Sequence, residues 1–275
     1  MKKCILITCI FFQIAYSSAQ TCCTGGVPTL GSFVFPEVKN NGVGGHLIYN
    51  YNINNDLLLE EDEIDNSYIS RKIHSLIAQV DYGINDNWSF VLRVPYLWQE
   101  EDITSAMVES TQFSNSGMGD ITFWGYYKNR IKAFDYGVAL GVKMPTGSTD
   151  KRNENGILLP LRFQNGSGSW DIGLNLSTRL PLGTARKFFW EQQIVTRLNT
   201  KGAKFKAHPN YIFGNEFQWM QTVSYQFILS RYIVTAYSGL VFQYRKQDSF
   251  DSELTNENTG GIWFNEMAGL IWQWN

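Results

Sequence analysis

Three features of the amino-acid sequence predict an all-β chain, an antiparallel transmembrane β-barrel of about ten strands. Apolar and polar residues alternate with period two over segments of about 10 to 15 residues, longer than the ~5–6 of ordinary strands. The apolar faces carry aromatic residues at their ends, as a barrel does at its two membrane interfaces. Short and long connections take turns along the chain, which is how outer-membrane barrels separate periplasmic turns from extracellular loops.

Composition narrows the alternatives. The 275 residues carry a net charge of −2, so no basic field marks a nucleic-acid partner. Charged residues make up 17%, against ~25% in ordinary soluble domains, and aromatics reach 15%. No segment after the N-terminus approaches the ~18 apolar residues of a membrane-spanning helix.

The elements follow in order. Met1-Lys2-Lys3, the apolar run from Cys4 to Ile14 and the small residues up to Ala19-Gln20 read as a secretory signal peptide over 1–20. Its removal takes Lys2 and Lys3 from the 23 basic residues and leaves 21 against 25 acidic ones, a net −4. Residues 21–42 are expected as an N-terminal periplasmic segment holding the adjacent pair Cys22-Cys23, which is too small a set for a disulfide framework. The barrel is expected over 43–275. Its ten strands are placed at 43–54, 72–84, 87–98, 118–129, 134–145, 168–181, 187–199, 211–227, 231–246 and 261–274. The connections 55–71, 99–117, 146–167, 200–210 and 247–260 are long or intermediate, and the others are short. In the third segment Trp88, Phe90, Leu92, Val94, Tyr96 and Trp98 share one face, with Ser89, Val91, Arg93 and Leu97 opposite. Tyr136 to Met144, Trp170 to Leu180 and Tyr232 to Tyr244 repeat the pattern. Charges on the second face suit a polar lumen; in the core of a water-soluble sandwich each unpaired one would cost several kcal/mol.

Three motifs punctuate the strands: Ser116-Gly117-Met118-Gly119-Asp120 before a long strand, Gly141-Val142-Lys143-Met144-Pro145-Thr146-Gly147 at a strand exit, and Gly166-Ser167-Gly168-Ser169-Trp170-Asp171 before the next. In this order and spacing they resemble the outer-membrane protein family named for the meta-pathway of phenol degradation. The leading Cys22-Cys23-Thr24-Gly25-Gly26-Val27-Pro28 is similar to its Bacteroidetes-type members. The resemblance spans about residues 22–275. It implies a transporter barrel for hydrophobic or aromatic compounds and supplies no catalytic residues. Such chains commonly run on beyond a segment like Thr259-Gly260-Gly261-Ile262-Trp263-Phe264 and end on an aromatic. This one ends Trp272-Gln273-Trp274-Asn275, so twelve strands are the alternative if the family pattern is complete elsewhere.

The residues themselves allow three roles: loop-to-strand corners, shaped by glycine and by Asp120 and Asp171, a lumen charge network of Arg93, Asp120, Lys143, Asp171 and Arg179, or ligand binding by these charges. Trp124 and Tyr126 are candidate aromatic lumen residues. His46 and His74 are expected to face inward on neighbouring strands. No nucleophile elbow, phosphate loop or metal-ligand spacing stands out, so neither a catalytic site nor a cofactor nor a metal is expected. The acidic run Glu60 to Asp65 is expected in a solvated extracellular loop. Expected partners are outer-membrane lipid, the barrel assembly machinery and a small solute that the sequence does not identify. The leading functional expectation is passive diffusion of small, hydrophobic or aromatic solutes across the outer membrane. A structural or adhesive barrel acting through its long loops is the alternative, and an outer-membrane enzyme the third.

Overall fold

Alternation of side chains about an extended backbone builds a single long wall. A computed structural model describes residues 40–54, 57–59, 62–64, 69–105, 108–184, 187–202, 210–229, 232–250, 254–256 and 259–274. The signal peptide, Cys22-Cys23 and nearly all of segment 21–42 lie outside the described residues, as do Glu60, Glu61 and Asp65 of the acidic run. In chain order the strands are β1 (Val43–Asn54), β2 (Leu57–Leu59), β3 (Asp62–Ile64), β4 (Ile69–Gly83), β5 (Trp88–Ser105), β6 (Val108–Met118), β7 (Ile121–Ile131) and β8 (Phe134–Met144). They continue as β9 (Asp171–Leu182), β10 (Phe188–Leu198), β11 (Tyr211–Ile212), β12 (Glu216–Leu229), β13 (Tyr232–Arg245), β14 (Asp248–Phe250), β15 (Leu254–Asn256) and β16 (Gly261–Trp274).

Ten strands follow one another in the order β1-β4-β5-β7-β8-β9-β10-β12-β13-β16, every neighbour antiparallel, and β6 pairs with β5 off this path. They correspond to the ten expected segments. No pairing among the described residues joins β1 to β16. The chain belongs to the transmembrane-barrel class of all-β fold, and its two faces show why. Leu47, Val80, Leu92, Val138, Leu140, Val142, Ile172, Leu176 and Leu240 are exposed on one face, while Ser75, Gln79, Asp81, Ser89, Asn175, Ser177 and Gln218 are buried on the other. In water each square ångström of that exposed apolar surface would cost about 25 cal/mol; against lipid it costs nothing. Trp88 and Trp98 stand at the two ends of the exposed face of β5. Ten residues at ~3.3 Å each, tilted by ~40°, separate them by about 25 Å along the membrane normal, the height of a barrel's apolar band. Trp88 packs on Tyr127 at one level and Tyr96 on Trp98 at the other, at ring-centroid distances of 5.0 and 4.6 Å.

Two departures have physical causes. Residues 99–105 and 108–117, expected as a loop, continue β5 and form β6, pairing from Tyr96↔Met118 to Ser105↔Val108. Both faces of this hairpin are largely polar (Gln99 and Glu101 inward, Glu100 outward), so the pairing persists where the hydrophobic period vanishes. The expected strand 211–227 is broken at 213–215: β11 leaves to pair with β14, and Gly214 lies against the backbone of Lys246, where a Cβ would collide.

Leu140 is 65% exposed at mid-strand. Leu140→Arg should destabilise the folded protein by about 2–4 kcal/mol, the cost of a cation at the bilayer midplane. A urea titration of folding into lipid vesicles, followed by tryptophan fluorescence, measures this; an unshifted midpoint would mean that Leu140 does not meet lipid.

Candidate functional site

The buried face holds the chemistry, and the three sequence motifs converge on one point of it. Asp120, in the break between β6 and β7, is fully buried. Its carboxylate accepts hydrogen bonds from the backbone N–H of Gly147 (2.9 Å) and of Ser167 (2.8 Å), and from the Ser167 hydroxyl (2.7 Å). Gly147 and Gly166 lie back to back, each where a Cβ on the other would have to sit. Lys143 near the end of β8 pairs with Asp120 at 3.2 Å and with Asp171 at the start of β9. Asp171 also accepts from the Ser169 hydroxyl (2.8 Å) and the Thr200 N–H (3.0 Å). The cation thus sits between two carboxylates: Asp120 fastens both ends of the 145–170 connection, and Asp171 fastens the segment at Thr200.

The same level of the wall carries further pairs. Arg197 on β10 donates to Glu216 on β12 at 2.7 Å. Arg245 on β13 lies 3.9 Å from Glu216 and donates to Asp248 at 2.6 Å. Asp248 accepts from the Tyr211 hydroxyl and from the Gly214 N–H. A buried charged rim therefore runs from β7 to β14 along the long-loop end. Such pairs need every partner, because a lone buried charge costs more than the pair contributes.

Below the rim part of the wall is apolar. Val91, Trp124, Tyr126, Ala139 and Val195 form a buried apolar cluster. The indole of Trp124 lies over Gly141 and Gly173, filling the space that a Cβ on either would need. One cross-strand row reads Ser89↔Tyr126↔Ala139↔Asn175↔Val195↔Gln218↔Gln243↔Trp263. Within it the Ser89 hydroxyl, Asn175 Oδ1, Gln218 Oε1 and Trp263 Nε1 have no hydrogen-bond partner in the protein. Buried polar atoms of this kind are normally satisfied, by water or ligand where the protein does not do it.

The structure sorts the expected residues into five groups. Asp120, Lys143 and Asp171 come together, and their hydrogen bonds make them corner and charge cluster at once. Arg93 stands apart: its Nε donates to Gln79 Oε1 (2.7 Å), Gln79 donates to Asp81 (2.8 Å), and His46 lies 2.9 Å from Asp81. Arg179 pairs with Glu191 at 3.0 Å near the short-turn end and lies 4.0 Å over the Phe189 ring. Trp124 and Tyr126 are buried on the same face. His74 corrects an expectation. It lies on the outward face, hydrogen-bonded to the Tyr49 hydroxyl (2.7 Å) and 4.6 Å from the Tyr51 ring, because position 74 shares its parity with Leu76, Val80 and Tyr82. Sequence reading missed Asp81, Arg197, Glu216 and Asp248. Parity could have put the first three on the inner face, but only the pairing register names their partners. Among the described residues no group of three or more His, Cys, Asp or Glu is placed to hold a metal ion.

Two comparisons bear on this geometry. A family model described as "Putative MetA-pathway of phenol degradation" matches residues 66–265. Among solved structures, an outer membrane channel from Pseudomonas putida F1 superposes with a TM-score of 0.60 at 12% identity, covering 85% of this chain and 82% of that one. No curated protein matches the sequence.

Lys143→Met should cost about 3–5 kcal/mol, since it strands two buried carboxylates. The same urea titration measures it, and a loss below 1 kcal/mol would remove Lys143 from the centre of the rim. At Gly141 a serine side chain would meet the Trp124 ring. Gly141→Ser should lower the folded fraction, and Trp124→Ala should relieve most of that loss in the double variant. Additive losses would break the proposed contact.

Proposed function

Because the chain belongs to the phenol-degradation MetA-pathway family, we propose that it is an outer-membrane channel through which small, hydrophobic or aromatic solutes pass by diffusion. The row of unpartnered polar atoms beside the buried rings of Trp124 and Tyr126 carries this reading. A solute with an apolar body and one or two hydrogen-bonding groups would meet rings for the first and Ser89, Asn175, Gln218 or Trp263 for the second. The likeness to a protein titled an outer membrane channel supports the same role. A barrel of about ten strands is near the size that side chains fill, so passage would follow a narrow path and not an open pore. In the same reading, export is directed by the signal peptide and insertion by the barrel assembly machinery, with the long loops outside the cell.

Flux of a panel of sugars, amino acids and aromatics into liposomes holding the purified protein tests the proposal. Aromatic solutes should enter faster than sugars of similar mass. Trp124→Ala, which opens the space over Gly141 and Gly173, should raise aromatic flux several-fold while heat-modifiable gel mobility is retained. No flux of any solute through folded protein would overturn the channel reading.

A further inference from the structure

The outward face is not uniform. At mid-strand, β4, β5, β7 and β8 present only apolar or glycine positions to the outside, among them Val80, Leu92, Phe123, Val138 and Leu140. On the other half of the wall one cross-strand row runs Thr178↔Gln192↔Gln221↔Leu240↔Glu266 through β9, β10, β12, β13 and β16. All five side chains have the outward parity of their strands. Thr178, Gln192 and Gln221 are partly exposed and Glu266 is exposed. Ser238, two residues from Leu240 on the same face, is exposed as well.

This row sits at the height where lipid tails offer no hydrogen bond, and unsatisfied amides, hydroxyls and carboxyls are costly there. The opposite half shows that the same fold can do without them. The row follows five strands of the wall, and its three central strands, β10, β12 and β13, spaced at ~4.8 Å, present a strip about 10 Å wide to a neighbouring barrel.

We propose that this face is an interface with a second copy of the same chain. The chemistry of the row is complementary to itself. A two-fold axis along the membrane normal, passing beside Gln221, reverses the row and sets Gln221 against its symmetry mate. A primary amide is both donor and acceptor, so the pair satisfies itself. The same reversal brings Gln192 on β10 toward Leu240 and Ser238 on β13 of the second copy, while β9 and β16 curve away from the contact. A lipid would supply none of these partners at this depth, and the row contains no cation to suggest an acidic protein partner.

The test uses the full mature chain in lipid nanodiscs and in mild detergent. Light scattering should give a dimer for the wild type. Gln192→Leu/Gln221→Leu should weaken dimerisation at least tenfold while heat-modifiable mobility, the sign of a folded barrel, is retained. In a Cys22→Ser/Cys23→Ser background, Gln221→Cys should give a disulfide-linked dimer on oxidation and Leu92→Cys should not. A folded wild type that stays monomeric in lipid, or a double-leucine variant that dimerises as well as the wild type, overturns the proposal. So does equal cross-linking at positions 92 and 221. Channel flux can persist in each of these cases, so the result is separable from the proposed function.

Discussion

A buried carboxylate holds the long-loop end of this wall together. Asp120 spends its acceptor capacity on the backbone of Gly147, the backbone and hydroxyl of Ser167, and Lys143, which Asp171 shares. A charged acceptor makes stronger hydrogen bonds than a neutral one, and burial strengthens them again. The break between β6 and β7, the exit of β8 and the start of β9 therefore have one permitted arrangement. The glycines of the motifs follow from it: a side chain at 147 or 166 would push apart the two segments that Asp120 draws together. Three motifs distant in sequence are one structural unit.

That unit also sets the contents of the wall beneath it. With β7, β8 and β9 held in register, Trp124 falls over Gly141 and Gly173, and Tyr126 comes within 3.4 Å of the Asn175 amide. The indole is accommodated because the next two strands on one side, β8 and β9, lack a side chain where it lies. The interior at this level is thus filled by one large ring over two glycines instead of by three medium residues.

The ten strands were legible because each has one predominantly apolar face, as a wall against lipid requires. The β5–β6 hairpin was not, since beyond Trp98 neither face is uniformly apolar and a polar strand resembles a polar loop in composition. His74 shows the other limit: strand membership was readable, yet one unit of parity decides the face. The rim was half legible. Asp120, Lys143 and Asp171 lie in motifs dense with glycine and serine, whereas Arg197 and Glu216 sit in ordinary strand sequence and meet only through the register Arg197↔Glu216. Register is a property of two strands, and no single segment states it.

The pairing of the rim has a consequence for what could pass it. Lys143, Arg197 and Arg245 face Asp120, Asp171, Glu216 and Asp248, so the charges at this level nearly cancel. A nearly neutral, internally paired rim casts little field beyond a few ångströms and steers ions weakly. Breaking any pair to coordinate an ion would strand its partner in a buried site, at a cost of several kcal/mol. In the proposed channel the stability of the rim itself would disfavour ions. A neutral solute would ask nothing of those pairs and would meet, one level down, hydrogen-bonding atoms without a partner in the protein. Under that proposal, selection for neutral, partly apolar molecules would arise from the same contacts that hold the loops in place.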